Sequence, residues 1–448
     1  MTSRSARLVR SIPSQTPSRL YPNVCHSTSL IATTPNVSTY YNPSRRRNQS
    51  SWTQAISTAQ AVFNTPPDPN APIQIDPFRT VAKELKFLTK NIRQLLGSGH
   101  PTLDTVAKYY TQSEGKYVRP MLVLLMSRAT ALTPKVGRQS SDHSVDRPIS
   151  PSAILADKNP SAPDFQSLTA MSNDTAYNQQ DSDILPSQRR LAEITELIHT
   201  ASLLHDDVID HSQSRRSAPS ANIEFGNKMA VLAGDFLLGR ASVALARLRD
   251  PEVTELLATV IANLVEGEFM QLKNTAKDEK NPAWTEDTVT YYLQKTYLKS
   301  ASLISKSCRA AAILGQSTPE VIEAAYLYGK NLGLAFQLVD DMLDYTVSGE
   351  ELGKPAGADL ELGLATAPLL FAWKDNSKLG KLVGRKFSKE GDVQQAREIV
   401  AQSTGLEQTR ALAQEYVDKA IQAISGFPDS DAKDGLIEMC TKVMKRRK

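Results

Sequence analysis

Two copies of one acidic pattern carry the chemistry this chain could do: Asp206-Asp207-Val208-Ile209-Asp210 and Asp340-Asp341-Met342-Leu343-Asp344. Each follows an apolar stretch, Leu203-Leu204 in the first case and Phe336 to Val339 in the second, so both read as helix. On a helix the first and last aspartates of a copy share a face one turn apart, about 5.4 Å along the axis. Like charges at that spacing destabilise a helix unless a cation lies between them. Carboxylates with no Cys or His interleaved suit Mg2+ shared with a phosphate-bearing ligand better than Zn2+. A solvated acidic face is the ordinary meaning of one such pattern, but two copies rising out of apolar sequence are harder to place on a surface. Neither has the central glycine and distal glutamate of an EF-hand. The pair implies a magnesium diphosphate site.

Basic residues stand where they could hold the anions of such a site. In Gly115-Lys116-Tyr117-Val118-Arg119-Pro120, Pro120 suits a first helical turn, which places Lys116 and Arg119 at a helix N-terminus. The dipole disfavours cations there, so an anion held jointly by amides and side chains explains them. His199 lies two turns before Asp206 on the same face, although a lone histidine on an apolar helix is more often a core residue. Arg215-Arg216 follows the first copy, either as favourable charge near a helix C-terminus or as a fork for phosphate oxygens. Past the second copy, the loop Gly353-Lys354-Pro355-Ala356-Gly357 can fold Lys354 back over Asp340 and Asp344. It lacks the GxxxxGK[ST] order and the preceding strand of a nucleotide-binding loop, which argues against a kinase or ATPase.

These residues need helices to position them, and the chain supplies helices almost throughout. Apolar periodicity predicts helices over Asp76–Leu96, Met121–Thr130, Met229–Leu248, Val253–Leu272, Thr288–Leu314, Pro319–Tyr345 and Glu407–Ile424. No alternating strand pattern competes, so the expected fold is all-α, a helical bundle in one catalytic domain over residues 76–448. From about 134 to 186 the sequence is rich in Ser, Pro, Asp, Asn and Gln without a period, which predicts a disordered insertion dispensable for chemistry.

The net charge of +4 conceals an uneven distribution. Seven arginines (Arg4, Arg7, Arg10, Arg19, Arg45, Arg46 and Arg47) precede the first acid at Asp68, with no lysine and abundant Ser and Thr. That composition predicts a mitochondrial or plastid transit peptide within a leader spanning residues 1–75. No uninterrupted apolar run of about 18 residues is evident, so no transmembrane helix is expected. Cys25, Cys308 and Cys440 lack metal spacing and predict a reducing compartment without a disulfide frame.

Taken in order, Gly115 to Pro120, Leu203 to Asp210, Gly234-Asp235-Phe236-Leu237, Phe336 to Asp341 and the Lys354 loop make the chain resemble the trans-polyprenyl diphosphate synthases. The resemblance runs from about Asp76 to the C-terminus apart from the insertion. It implies an isoprenoid synthase bundle around a central apolar cavity. It also implies a reaction in which an allylic diphosphate, such as farnesyl diphosphate, ionises and is attacked by isopentenyl diphosphate. On this resemblance Asp206, Asp210 and Asp340 bind metal directly, with Asp207, Asp341 and Asp344 supporting, and three Mg2+ ions serve each site. Lys116, Arg119, His199 and Arg216 would hold isopentenyl diphosphate; Arg215, Lys299, Ser300, Gln337 and Lys354 would hold the allylic diphosphate. Lys299 and Lys354 join the metal-binding aspartates in catalysis. Two departures stand out: Glu114 replaces a usual glycine, and Lys299-Ser300 replaces a Lys-Thr pair. Lys295-Thr296 matches that pair in letters, but its neighbours favour Lys299-Ser300.

Ala201 and Ser202 stand about one turn deeper than Asp206, where short-chain relatives place bulky aromatics. Small residues leave the path open and predict a product between hexaprenyl and decaprenyl. With the leader, this points to the mitochondrial matrix, peripheral inner-membrane association and the ubiquinone side chain. The resemblance is compatible with a homodimer or a pairing with a divergent subunit; nucleic acid is not an expected partner. The alternatives are a class I terpene cyclase, disfavoured by the second complete acidic motif, and a non-catalytic subunit, disfavoured because all six aspartates are present.

Overall fold

The computed structural model describes residues 76–112, 117–137, 183–215, 218–272, 282–346 and 357–446, all within one unit of the chain. The leader, residues 138–182 of the expected insertion, Lys116, Arg216 and Lys354 lie outside the described residues. Residues 134–137 and 183–186 were expected to belong to the insertion, yet they are built into the bundle. Lys135 donates to the Thr130 and Gly315 carbonyls at 2.7 and 2.8 Å, and Ile184 is fully buried.

The chain begins with the short α1 (Pro77–Thr80), then α2 (Ala82–Leu95), α3 (Pro101–Gln112) and α4 (Val118–Ala131). α5 (Pro186–Ile209) carries the first acidic motif at its C-terminal end. Pro186 presets its first turn, and the Gln188 side chain accepts from the Leu185 amide at 2.9 Å. A two-stranded antiparallel ribbon, β1 (Ser214–Arg215) with β2 (Ala218–Pro219), follows. Next come α6 (Ala221–Phe225), α7 (Asn227–Arg247), α8 (Pro251–Leu272) and α9 (Glu286–Thr296). α9 runs through a π-helical turn, Tyr297–Ala301, into α10 (Ser302–Leu314). α11 (Pro319–Thr346) carries the second motif in its last turns. The rest comprises α12 (Ala358–Glu361), α13 (Ala367–Asp375), α14 (Lys378–Gly384), α15 (Asp392–Ala401), α16 (Gly405–Ala423) and α17 (Asp431–Met444).

α10 is the central rod. Ser, Ala, Ile, Leu and Cys308 bury it on almost every side, and it packs against α4, α5, α8 and α11. Small side chains allow the close approach. At Gly333 on α11, an added Cβ would sit 2.7 Å from the Ala301 Cα, so the π turn and α11 meet nearly backbone to backbone. α11 in turn packs on α16 and α17, closing the bundle around both motifs.

One helix has the apolar length that the sequence is read as lacking. α7 is long and apolar enough, by length and composition, to cross a membrane. A search for an uninterrupted run misses it, because Lys228, Asp235 and Arg240 break the run without changing its average character. In the bundle α7 packs against α5, and Arg240 is buried against the Gly97 carbonyl. Its other face leaves Met229, Val231 and Leu232 exposed, and α8 likewise exposes Val265, Phe269 and Leu272.

Candidate active site

The six motif aspartates divide into those bonded within the protein and those left open. Asp207 is fully buried and accepts a two-pronged interaction from Arg215, Nε at 2.8 and 3.0 Å and Nη2 at 2.5 Å. The Tyr110 hydroxyl from α3 donates to the same carboxylate and accepts from the Ala221 amide at 2.8 Å. The ribbon exists to make this link: the chain turns at His211, in a left-handed conformation (φ 51°), and returns Arg215 beneath the helix end. Asp206 and Asp210, one turn apart, form no side-chain hydrogen bond or ion pair with any described residue. Burial raises the Asp206 carboxyl to about 6, opposed by Lys299 and reinforced by Glu268 and Asp210. Burial raises Asp210 as well, again against the pull of Lys299.

In the second motif all three aspartates have partners. Asp341 is buried and accepts from the Tyr292 hydroxyl at 2.5 Å and from Gln337 Nε2 at 2.8 Å. Burial still raises its pKa, despite those two bonds and the nearby Lys295. Asp344, also buried, accepts from the Asp359 amide at 3.3 Å. Asp340 stays half-buried, with Arg446 Nη1 at 3.0 Å from its Oδ1. The Arg446 guanidinium stacks 4.5 Å above the Phe336 ring.

The π turn bridges the motifs. The Ser300 hydroxyl donates to Gln337 Oε1 at 2.7 Å, and Gln337 passes the link to Asp341. Next to Ser300, Lys299 bonds Glu268 Oε2 of α8 at 2.5 Å. Burial alone would lower the Lys299 ammonium; Asp206 and Glu268 more than reverse this, and its pKa lies above the ordinary lysine value. Lys295, one turn earlier, is buried over the Tyr292 ring at 5.3 Å; burial lowers it, against the pull of Asp341 and Asp359. One short segment therefore feels the carboxylates of both motifs.

At the far side, Arg119 Nη1 of α4 lies 2.9 Å from His199 Nε2 of α5. Two of the four residues expected to hold isopentenyl diphosphate thus converge from different helices, while Lys116 and Arg216 fall outside the described residues. Ser300 and Gln337, of the expected allylic set, are directly bonded, whereas Arg215 is committed to Asp207. Ala201 is fully buried, and the Ser202 hydroxyl donates to the His199 carbonyl at 2.9 Å. Sequence reasoning missed Glu268, Tyr110, Tyr292 and Arg446. Only Arg446 left a visible signal, the basic run Lys445 to Lys448.

An all-α bundle with two aspartate motifs linked through a lysine-bearing turn, together with an Arg–His pair, is the architecture of a helical prenyltransferase. Comparison with known proteins makes the class specific. The polyprenyl synthetase family profile matches residues 164–400. A probable mitochondrial hexaprenyl pyrophosphate synthase of Neurospora crassa is 69% identical over 424 residues, 91% of each chain. The mitochondrial hexaprenyl pyrophosphate synthase of Saccharomyces cerevisiae is 46% identical over 90% of this chain and 96% of its own. Among solved structures, a Caulobacter crescentus polyprenyl synthase complexed with calcium and isoprenyl diphosphate superposes with a TM-score of 0.66 at 29% identity, covering 85% of this chain and 100% of that one. The chain belongs to the polyprenyl synthetase family, and its fold is the all-α isoprenoid synthase bundle. It is accordingly a prenyltransferase; neither the cyclase nor the non-catalytic alternative gains support.

Proposed function

We propose that this enzyme extends farnesyl diphosphate with successive isopentenyl diphosphates to a long all-trans polyprenyl diphosphate, of hexaprenyl to decaprenyl length, in mitochondria for the ubiquinone side chain. The observation that carries the reading is the division among the aspartates. Asp207, Asp341 and Asp344 are buried and bond within the protein, while Asp206 and Asp210 are half-buried and form no side-chain hydrogen bond or ion pair among the described residues. Carboxylates left open suit hard divalent cations, so Asp206 and Asp210 would hold Mg2+, joined on the family resemblance by Asp340, which here pairs with Arg446, with three ions per site. Bound there, Mg2+ supplies Lewis-acid stabilisation of the departing diphosphate.

The protein's own residues do the rest. Lys299, beside Asp206 and Asp210, would receive charge growing on the leaving group, as Lys354 would on the family resemblance, and Ser300 and Gln337 fix the turn that bears it. Arg119 and His199, with Lys116 and Arg216, would orient isopentenyl diphosphate so that its double bond faces the cationic carbon. No nucleophilic Ser or Cys is needed; the allylic cation needs an apolar surround that excludes water. The α5 face at Ala201 and Ser202 would admit the growing chain. Peripheral inner-membrane association would receive so greasy a product.

The test is a thin-layer assay of the purified protein with farnesyl and isopentenyl diphosphates, with and without Mg2+. Long polyprenyl diphosphates should form only with both substrates and the metal, and Asp206→Ala and Asp340→Ala should each lose at least about 100-fold in rate. Turnover of farnesyl diphosphate alone, or variants of undiminished rate, would refute the reading. Sedimentation of the same protein decides between a homodimer and the need for a divergent subunit.

A further inference from the structure

Lys299 has three carboxylates within electrostatic reach, Asp206, Asp210 and Glu268, but it bonds only one. That partner, Glu268, belongs to neither acidic motif and is almost wholly buried on α8. The contact is built into the backbone. The preceding residue is Gly267, where an added Cβ would lie 2.9 Å from the Lys299 amide nitrogen and 3.1 Å from its Cβ. Any larger residue would push α8 off the π turn and withdraw Glu268. The second Glu268 oxygen accepts from Gln271 Nε2 at 3.4 Å, which leaves the carboxylate aimed at the lysine.

We infer that Glu268 is a positioning residue: it holds the Lys299 ammonium extended beside Asp206 and Asp210 of the first motif, so that the allylic diphosphate meets a cation already ordered. The inference rests on Lys299 binding the allylic diphosphate, as proposed above. A free lysine side chain in this place would sample many rotamers and lose that freedom on binding. Glu268 removes that loss before the substrate arrives. Because isopentenyl diphosphate is assigned to the Arg119–His199 side, its binding should not sense the substitution.

The test uses Glu268→Ala, Glu268→Gln, Lys299→Ala and the double variant Glu268→Ala/Lys299→Ala in the full-length enzyme. Steady-state KM for each substrate is measured, and calorimetry follows binding of farnesyl diphosphate alone with Mg2+. Glu268→Ala should weaken farnesyl diphosphate roughly tenfold, the scale of one charge-assisted hydrogen bond, with isopentenyl KM unchanged. Glu268→Gln, which keeps the hydrogen bond, should recover part of that loss. The double variant should be no weaker than Lys299→Ala. If Lys299→Ala weakens farnesyl diphosphate but both Glu268 variants bind it normally, the positioning role is wrong while the function stands. If Lys299→Ala itself leaves that affinity unchanged, the assignment of Lys299 falls first. Equal loss for both substrates in the Glu268→Gln protein would make Glu268 merely structural and overturn the inference.

Discussion

Replacing Arg215 by alanine would strip the buried Asp207 carboxylate of its guanidinium and leave only the Tyr110 hydroxyl. Breaking a buried ion pair from one side costs about 3–5 kcal/mol, because a charge remains without compensation. Asp207 is 0% exposed but the Arg215 side chain is 28% exposed, so water can enter where the guanidinium was. That discounts the expected loss to about 2–3 kcal/mol. Asp207→Asn in the same background removes the stranded charge, and the double variant should regain at least about 1 kcal/mol over Arg215→Ala alone. Urea denaturation of the four proteins in one buffer, at constant m, completes the cycle. A double variant no more stable than Arg215→Ala would refute the view that Arg215 serves Asp207. Calorimetry of farnesyl diphosphate binding adds a second reading: a weakened double variant would give Arg215 a phosphate role besides its structural one.

Two further outcomes follow from the site. Ala201→Phe should shorten the product by blocking the α5 face, at about 1–3 kcal/mol of overpacking because Ala201 is fully buried; unchanged length in a radiolabelled chain-length assay would exclude this face as the ruler. Asp206, held up at about 6 mainly by burial, favours its protonated form in the fold; that contribution is complete below the free carboxyl value of 3.8 and is lost as pH rises through 6. Mg2+ binding needs the ionised form, so the gain in melting temperature on adding Mg2+ should grow between pH 5 and 7 and shrink in Asp206→Asn; a gain independent of pH would oppose the assignment.

What could be read from the sequence followed from short-range pattern. The motifs lie on helices because apolar runs lead into them, and α8, α11 and α16 emerge within a residue or two of their expected limits. The continuous α9–α10 rod was legible as one helix, but its π turn was not: an i to i+5 step leaves no periodic trace over five residues. Glu268 was hidden because it is one glutamate beside Val265 and Phe269 on an amphipathic helix, and only the approach at Gly267 shows which way it faces. The Asp207–Arg215 link needs a two-residue ribbon too short to predict. Tyr110, Tyr292 and Arg446 reach the aspartates from distant parts of the chain, and no local pattern encodes such meetings.

The wider turn between α9 and α10 changes how one rod can be divided. A single residue added to a helix rotates everything before it by about 100° relative to everything after it. The segment bearing Lys295 and Lys299 can therefore face the aspartate motifs while the Ser302–Leu314 segment keeps its seat in the core, with no hinge or break in the polypeptide. Excising one residue from Tyr297–Ala301 would restore an uninterrupted α-helix and turn the lysines out of register with the aspartates, leaving a stable scaffold that has forgotten its chemistry.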